Sequence, residues 1–553
     1  MVKTLENLSQ SKITADTLLD STIICPLSTR TLFLNAVHHR RRLSLLIKFL
    51  RNHGEKKYSQ NYQELSLLKF DYLNLLMTVK DLFNESSGRL ICFMSTQPAV
   101  RMGTVKKGDG KPENVYKPKN MLYTKIGLAL IEKSVAVDLC VTSDKSVEFA
   151  LSTIAEPSQL TGGTVYFYND FDINSDSEKF YYQLFRNLTV QRSFDVACRL
   201  RSSTKIHILN YASPAGIKHT LDFRLPNLKH DDTIVANLKV QENLTEPFVY
   251  FQFVCLHTTP LNQRIIRLIN LRLVVANEIN MFIKSIDNDS YVFSQLQSKL
   301  QLLLQHGKRD ACEKIMKKAI SMFAFYRYDA GGNYDSREFA LPERLRNFPL
   351  FFSSMLKEPC FNPKLKTSAS QSYANLTRLR ALPFASLLYK LYPKIFDLNQ
   401  LHTQLQENPE SEFGYQVENK TVLADSIPAN IKMVKSNGIY LIDDGEHLFV
   451  YIKKEAPVEL LMDLLGTPDF VSAQEIKNLP YLEESDFNVR VNAMIDRLRE
   501  IKTGEFLTTL VVCEGDRNVH KLKYIFMEDL GTLWSNNYWE FLSHLHEKVK
   551  DSE

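Results

Sequence analysis

The sequence reads as a multidomain chain: α/β first, then all-β, then all-α, then α/β again. Between residues 88 and 202 short apolar strands alternate with amphipathic helices, the pattern of a parallel sheet covered by helices. From 203 to 276 strand follows strand with almost no helix between, as in an antiparallel sandwich. Beyond 278 apolar residues recur every three or four positions, until two strands about Asp444-Gly445 open a last α/β unit.

Residues 1–86 read as helical and carry no further assignment. HHRRRLSLLIKFLRNHG places Leu43, Leu46, Ile47 and Leu50 at helical spacing, with Arg40, Arg41, Arg42, Lys48 and Arg51 around them. Such a helix either docks its apolar stripe on a core or lies on an anionic membrane. A second helical run, ELSLLKFDYLNLLMTVKDLF, ends at the turn-forming SSG.

The 87–202 stretch gives strands GRLICFMS, VAVDLCVT, GTVYFY and FDVACRLRS, with helices MLYTKIGLALIEKS, SVEFALSTIAE and SEKFYYQLFRNL between them. The 203–277 stretch gives KIHILNY, IKHTLDFRL, TIVANLKV, FVYFQFVCL and RIIRLINLRLVV, all as strands. In 278–402, Val292, Leu296, Leu300 and Leu303 form a helical stripe that Ile315, Ala319 and Phe323 continue, the pattern of a core. In 403–553, GIYLIDDGEHLFVYIKK is a hairpin; VELLMDLLG and NVRVNAMIDRLREIK are helices, TLVVCEG is a strand and YWEFLSHLHEKVK a terminal helix.

Composition excludes several classes. With 553 residues, 44% hydrophobic and 24% charged, the chain is neither disordered nor a small disulfide scaffold. No apolar run reaches the ~18–20 residues of a bilayer-spanning helix, and the start shows no secretory signal. The eight cysteines are scattered with no CxxC, which speaks against a zinc ribbon and a disulfide framework. Charge is uneven: residues 1–400 carry +17 and residues 401–553 carry −12. Such a body either balances solvated faces or meets an anionic surface.

Chemistry-bearing motifs are few. GTVKKGDGK, from Gly103 to Lys111, lacks the Gly-Lys-Ser/Thr of a phosphate-binding loop. DFDINSDSEKFY, from Asp170, has Ser175 where a calcium loop turns on Gly and Tyr181 where a bidentate Glu belongs. It reads as the start of the next helix, where acidic residues suit the dipole. No metal site, cofactor or catalytic constellation is expected, and the chain reads as non-enzymatic. One pair remains: Arg199 and Arg201 lie two apart on a strand and so project from one face. Two forked donors side by side can receive carboxylates or phosphates, or can form ion pairs at a sheet edge.

FDVACRLRSST, QRIIRLINLRL, ALPERLRNFPLFFSSMLK, LYPKIFDL, GIYLIDDGEHLFVYI and YWEFLSHL, in this order, resemble the cargo-adaptor subunit of the COPII vesicle coat, the Sec twenty-four family. The resemblance covers about residues 88–553. It implies a partial von Willebrand-A-like trunk at 87–202, a β-sandwich at 203–277, a helical domain at 278–402 and a gelsolin-like domain at 403–553. The family's zinc ribbon and the first part of its trunk have no counterpart in this reading. The implied role is selection of export signals in the cytosolic tails of membrane cargo and SNARE proteins. The implied partners are a GTPase-activating partner subunit of the inner COPII coat, a Sar-type small GTPase, and an anionic membrane surface on the cytosolic face of the endoplasmic reticulum. The family's acidic-signal pocket pairs an Arg-x-Arg strand with a sandwich leucine, a pattern that Arg199, Arg201 and Leu256 match. Rival readings are the GTPase-activating partner subunit itself and a gelsolin-like actin or calcium binder. A nucleic-acid reader is less well supported, since aromatics are not interleaved with the basic residues.

Overall fold

The computed structural model describes residues 71–83, 87–98, 116–143, 149–218, 222–329 and 341–551, the last stretch without 366, 419, 503–506, 508, 517–518 and 523. The basic helix at 38–51 and the Gly103–Lys111 loop lie outside these residues.

The first α/β unit is a parallel sheet in the order β1 (Gly88–Met94), β2 (Val135–Ser143), β3 (Val165–Asn169). Its central strand is buried along nearly its whole length, which is why VAVDLCVT is almost unbroken apolar sequence. Helix α1 (Tyr72–Leu82), capped by the Asp71 carboxylate, packs with α2 (Met121–Glu132) on one face through Tyr72, Leu76, Tyr123 and Leu130. Helix α3 (Glu156–Thr161) leads into β3 through Gly163, where a Cβ would stand 1.9 Å from the Val137 carbonyl oxygen. Helix α4 (Ile173–Thr189) covers the opposite face, with Phe180 and Leu184 over Ile91, Cys140 and Tyr168. The Asp170 run starts this helix, and the Asp176 carboxylate accepts from the Asp172 amide at 3.0 Å.

The one charge inside β2, Asp138, has a cation beside one oxygen and a hydrogen-bond donor on the other. Arg89 Nε lies 3.2 Å from one carboxylate oxygen and the Thr164 amide donates to the other at 2.6 Å.

Two sheets form the sandwich. One has the order β10 (Arg264–Val274), β9 (Phe248–Thr258), β4 (Arg192–Ser202), β7 (Asp222–Lys229); the other has β6 (Gly216–Lys218), β5 (Ile206–Ser213), β8 (Val235–Val240). Val196, Cys198, Tyr211, Phe223, Leu225 and Cys255 fill the space between them. The sequence pattern places strand β4 with the α/β unit, but it pairs antiparallel with both β7 and β9. By hydrogen bonding, the boundary therefore falls before Arg192 and not after Ser202. The distinction was present in its pattern: RSFDVACRLRS alternates buried and open positions, as a half-exposed antiparallel strand does.

The helical region stacks α5 (Asn288–His306), α6 (Lys308–Ala324), α7 (Phe348–Lys357), α8 (Ala369–Ala381) and α9 (Phe384–Leu391). Val292, Leu296, Leu300, Ile315, Ala319 and Phe323 are core, as their spacing required. The chain's last helix, α12 (Tyr538–Lys550), joins this core through Phe541, Leu545 and Val549, although it follows the gelsolin-like unit in sequence. Helices α10 (Val458–Leu465) and α11 (Asp486–Ile501) cover a four-stranded sheet ordered β11 (Lys394–Asp397), β12 (Ile439–Asp443), β13 (Leu448–Ile452), β14 (Thr509–Cys513). Strand β11 enters it from before residue 403, so both ends of this unit interleave with the helical region.

The hairpin turn between β12 and β13 ties three units together. The Asp444 carboxylate accepts from the Glu446 and His447 amides at 3.0 and 2.7 Å. Lys390 of α9 reaches Asp444 and Glu446 at 3.4 and 3.2 Å, and Lys179 of α4 lies 3.0 Å from His447 Nε2. Gly445, at φ +85°, sits where a Cβ would come 2.3 Å from the Ser386 carbonyl oxygen. Burial and the Lys179 ammonium push the His447 imidazole down to about 3.

Candidate ligand-binding face of the sandwich

Paired residues on neighbouring antiparallel strands share a face, so register alone places the three candidate residues. Arg199 pairs with Val254, Arg201 with Gln252, and Leu256 with both Ala197 and Ile266. All three side chains therefore stand on the outer face of the β10-β9-β4-β7 sheet. Arg199 and Arg201 are exposed, and Leu256 is half-buried. Leu256 is the next residue of this face beyond the partner of Arg199, while Arg201 lies one row further away.

The arginines differ in what holds them. Arg199 Nε is 2.5 Å from the Asp222 carboxylate on β7. Both side chains of that pair are well exposed, so the interaction is worth only about 0–1 kcal/mol and a ligand carboxylate can compete for it. Arg201 donates to the neutral Gln252 amide oxygen at 3.4 Å, and among the described residues no carboxylate pairs with it. The ladder continues as Gln252 Nε2 donates to Asn270 Oδ1 at 3.1 Å. Arg201, Gln252 and Asn270 thus form a polar row across β4, β9 and β10.

This row floors an open groove of roughly 510 Å³, with Ser203, Tyr250 and Arg272 at its sides. Arg272 stacks over the Phe248 ring at 4.7 Å, which fixes its guanidinium beside the groove. On the opposite face of the same strands, burial and then the Arg267 and Arg264 charges push the His257 imidazole below its ordinary range. The groove can take an anion, with planar amides beside the charge to fix its orientation.

Leu256 and Arg199 stand toward one end of the face, and the groove opens at Arg201. Gln252, Asn270, Tyr250 and Arg272 were not singled out in the sequence. The period-2 placement of Asn270 and Arg272 in RIIRLINLRLV was visible, but the register that sets them beside Arg201 was not. Among the described residues, no group of three or more His, Cys, Asp or Glu could hold a metal ion, and no helix is long and apolar enough to cross a membrane.

Comparison with known proteins follows the same division of the chain. The Sec23/Sec24 trunk domain matches residues 7–188, the Sec23/Sec24 beta-sandwich domain 193–276, the Sec23/Sec24 helical domain 290–389 and the gelsolin repeat 420–494. The trunk match takes in residues 7–86, to which the sequence alone gives no assignment, and so corrects the expectation that the first part of the trunk has no counterpart. These matches define a multidomain protein of trunk, sandwich, helical and gelsolin-like modules. The chain belongs to the Sec23/Sec24 family.

Among relatives, protein transport protein SEC24 of Eremothecium gossypii is 25% identical over 527 residues, covering 92% of this chain and 57% of the relative. That of Aspergillus fumigatus is 26% identical over 424 residues, covering 75% and 45%, and that of Schizosaccharomyces pombe 23% over 484 residues, covering 85% and 51%. The chain thus spans about half the length of these relatives. The crystal structure of the human COPII-coat protein Sec24c shares the fold, with a TM-score of 0.78 at 20% identity over 94% of this chain and 68% of that one.

Proposed function

We propose that the chain is a COPII coat component that selects cargo for transport from the endoplasmic reticulum to the Golgi. It does so by binding export signals in the cytosolic tails of membrane proteins, SNARE proteins among them. Membership of the Sec23/Sec24 family and the SEC24 names of its relatives support this role. The reading assigns the chain no catalysis. Its partners are a GTPase-activating coat subunit and a Sar-type small GTPase. The positive body, +17 over residues 1–400, suits peripheral attachment to the anionic cytosolic face of the membrane.

The observation that carries the binding role is the outer sandwich face, where Arg199, Arg201 and Leu256 stand together and Arg201 lacks a carboxylate partner among the described residues. Two guanidiniums receive the carboxylates of an acidic signal, and Leu256 offers it an apolar contact.

The test is titration of a labelled acidic export-signal peptide against the folded chain and Arg199→Ala/Arg201→Ala. Loss of both charge-assisted contacts costs ~3 kcal/mol or more, over a hundredfold in Kd. Equal affinity for the two proteins would refute the site.

A further inference from the structure

The free edge of β10 lacks most devices that protect a sheet edge, Arg267 being its one charge on the inner face. It runs for 11 residues, RIIRLINLRLV, with no Pro, no Gly and an unbroken register against β9. Natural edges of this length are usually blunted by prolines, bulges or inward charges. Here Ile266, Leu268, Ile269, Leu271, Leu273 and Val274 are 45% to 70% exposed, and they lie on both faces of the strand. Among the described residues no strand pairs with its outer side.

The phase of the ladder is fixed at both ends. The Thr259 amide donates to the Gln263 carbonyl and the Val275 amide to the Pro247 carbonyl, each at 2.9 Å. Hydrogen-bonded pairs alternate along an antiparallel ladder, so the odd-numbered residues of β10 bond to β9. The even-numbered residues, from Arg264 to Val274, point N–H and C=O outward. These are also the residues whose side chains share the face of Arg199, Arg201 and the groove.

Charge selects among occupants. β10 carries Arg264, Arg267 and Arg272 and no acidic residue. A second copy of the strand would bring like charges together, whereas an acidic strand would meet them with opposite sign.

We propose that β10 takes an extended acidic peptide as an added strand. Main-chain hydrogen bonds to the even-numbered residues hold the peptide, and its carboxylates lie beside Arg272 and compete with the exposed Asp195 carboxylate, 2.8 Å away, for Arg264. The inference deepens the acidic-signal reading and rests on it for the chemistry of the ligand. It adds the strand that docks the signal.

The experiment uses the whole chain and a fluorescent peptide of four Val-Glu repeats, with four Val-Lys repeats as control. The acidic peptide is expected to bind and to slow hydrogen exchange at Ile266, Leu268, Asn270, Arg272 and Val274, while the Val-Lys peptide does not bind. Leu268→Pro removes an outward N–H without touching the β9 ladder and is expected to weaken binding about tenfold or more. Arg272→Glu keeps the backbone intact and gives the same loss should the proline variant misfold. Binding that leaves those amides exchanging, or that ignores both variants, overturns the added strand. If that same binding falls in Arg199→Ala/Arg201→Ala, the acidic-signal site stands without it. Absence of binding by the folded chain overturns the inference, and protection already present in a chain of doubled mass assigns the edge to a second copy and overturns it as well.

Discussion

Strands β2 and β10 have similar apolar content and opposite fates. VAVDLCVTS lies between two parallel neighbours, buried along nearly all its length, and its single charge meets Arg89 on one side and the Thr164 amide on the other. Among the described residues RIIRLINLRLV has one neighbour and is open on both faces, with Arg264 paired to the exposed Asp195 at 2.8 Å and Arg272 stacked over Phe248. Apolarity therefore specifies that a strand forms but not how many neighbours it finds. Charge records the difference: a lone acid inside a continuous run needs a partner within the fold, while arginines at an open edge keep contact with water even where Asp195 and the Phe248 ring also meet them.

The sharpest way to break this contrast is to remove the internal charge. Asp138→Ala leaves Arg89 facing a buried site without its carboxylate and is expected to cost about 3–5 kcal/mol, read as a drop in the denaturation midpoint. A midpoint within error of wild type would mean that the trunk charge is not buried as described. Next comes apolar volume. Leu139→Ala in β2 is expected to cost about 2–5 kcal/mol, whereas Leu268→Thr in β10 should stay within about 0.5 kcal/mol. Equal losses in urea melts would place β10 in a covered interface.

The smallest expected effect is a pH dependence at the hairpin turn, a third place where burial meets charge. His447 is held at about 3 in the folded chain by burial and by Lys179, well below its ordinary 6.5. With the folded value depressed, the unfolded chain takes up the proton first. The contribution is therefore complete above about 6.5 and is lost as pH falls from there toward about 3. The urea midpoint of wild type relative to His447→Gln should fall between pH 7.5 and 5.5, a comparison in which Glu358, raised to about 7 by burial, cancels. A difference between the two proteins that does not move with pH would contradict the buried, neutral imidazole.

Much of the fold could be read from local pattern. The continuous run of β2, the Asp444-Gly445 turn and the Val292–Leu303 stripe are each decided within a few residues. What escaped reading depends on partners far away in sequence. The alternation of β4 marks it as half-exposed but does not name β7 and β9. Likewise Phe541, Leu545 and Val549 announce an apolar stripe on α12 without saying that it returns to the helical core. The candidate site divides in the same way. Spacing put Arg199 and Arg201 on one face, and the family resemblance added Leu256. The Asp222 partner of Arg199, and the row through Gln252 and Asn270 to the groove, needed the register of four strands.

That row makes a claim finer than the double variant can test: the two arginines are unequal. Arg199 already holds Asp222, whereas Arg201 opens on the groove beside neutral amides. The most direct measurement is an anisotropy titration of one acidic export-signal peptide against wild type, Arg199→Ala and Arg201→Ala. The structure predicts that Arg201→Ala loses about tenfold or more in affinity, and that Arg199→Ala loses clearly less because its charge is partly spent on Asp222. Wild-type affinity in Arg201→Ala, or a larger loss in Arg199→Ala, would contradict the groove as the seat of binding.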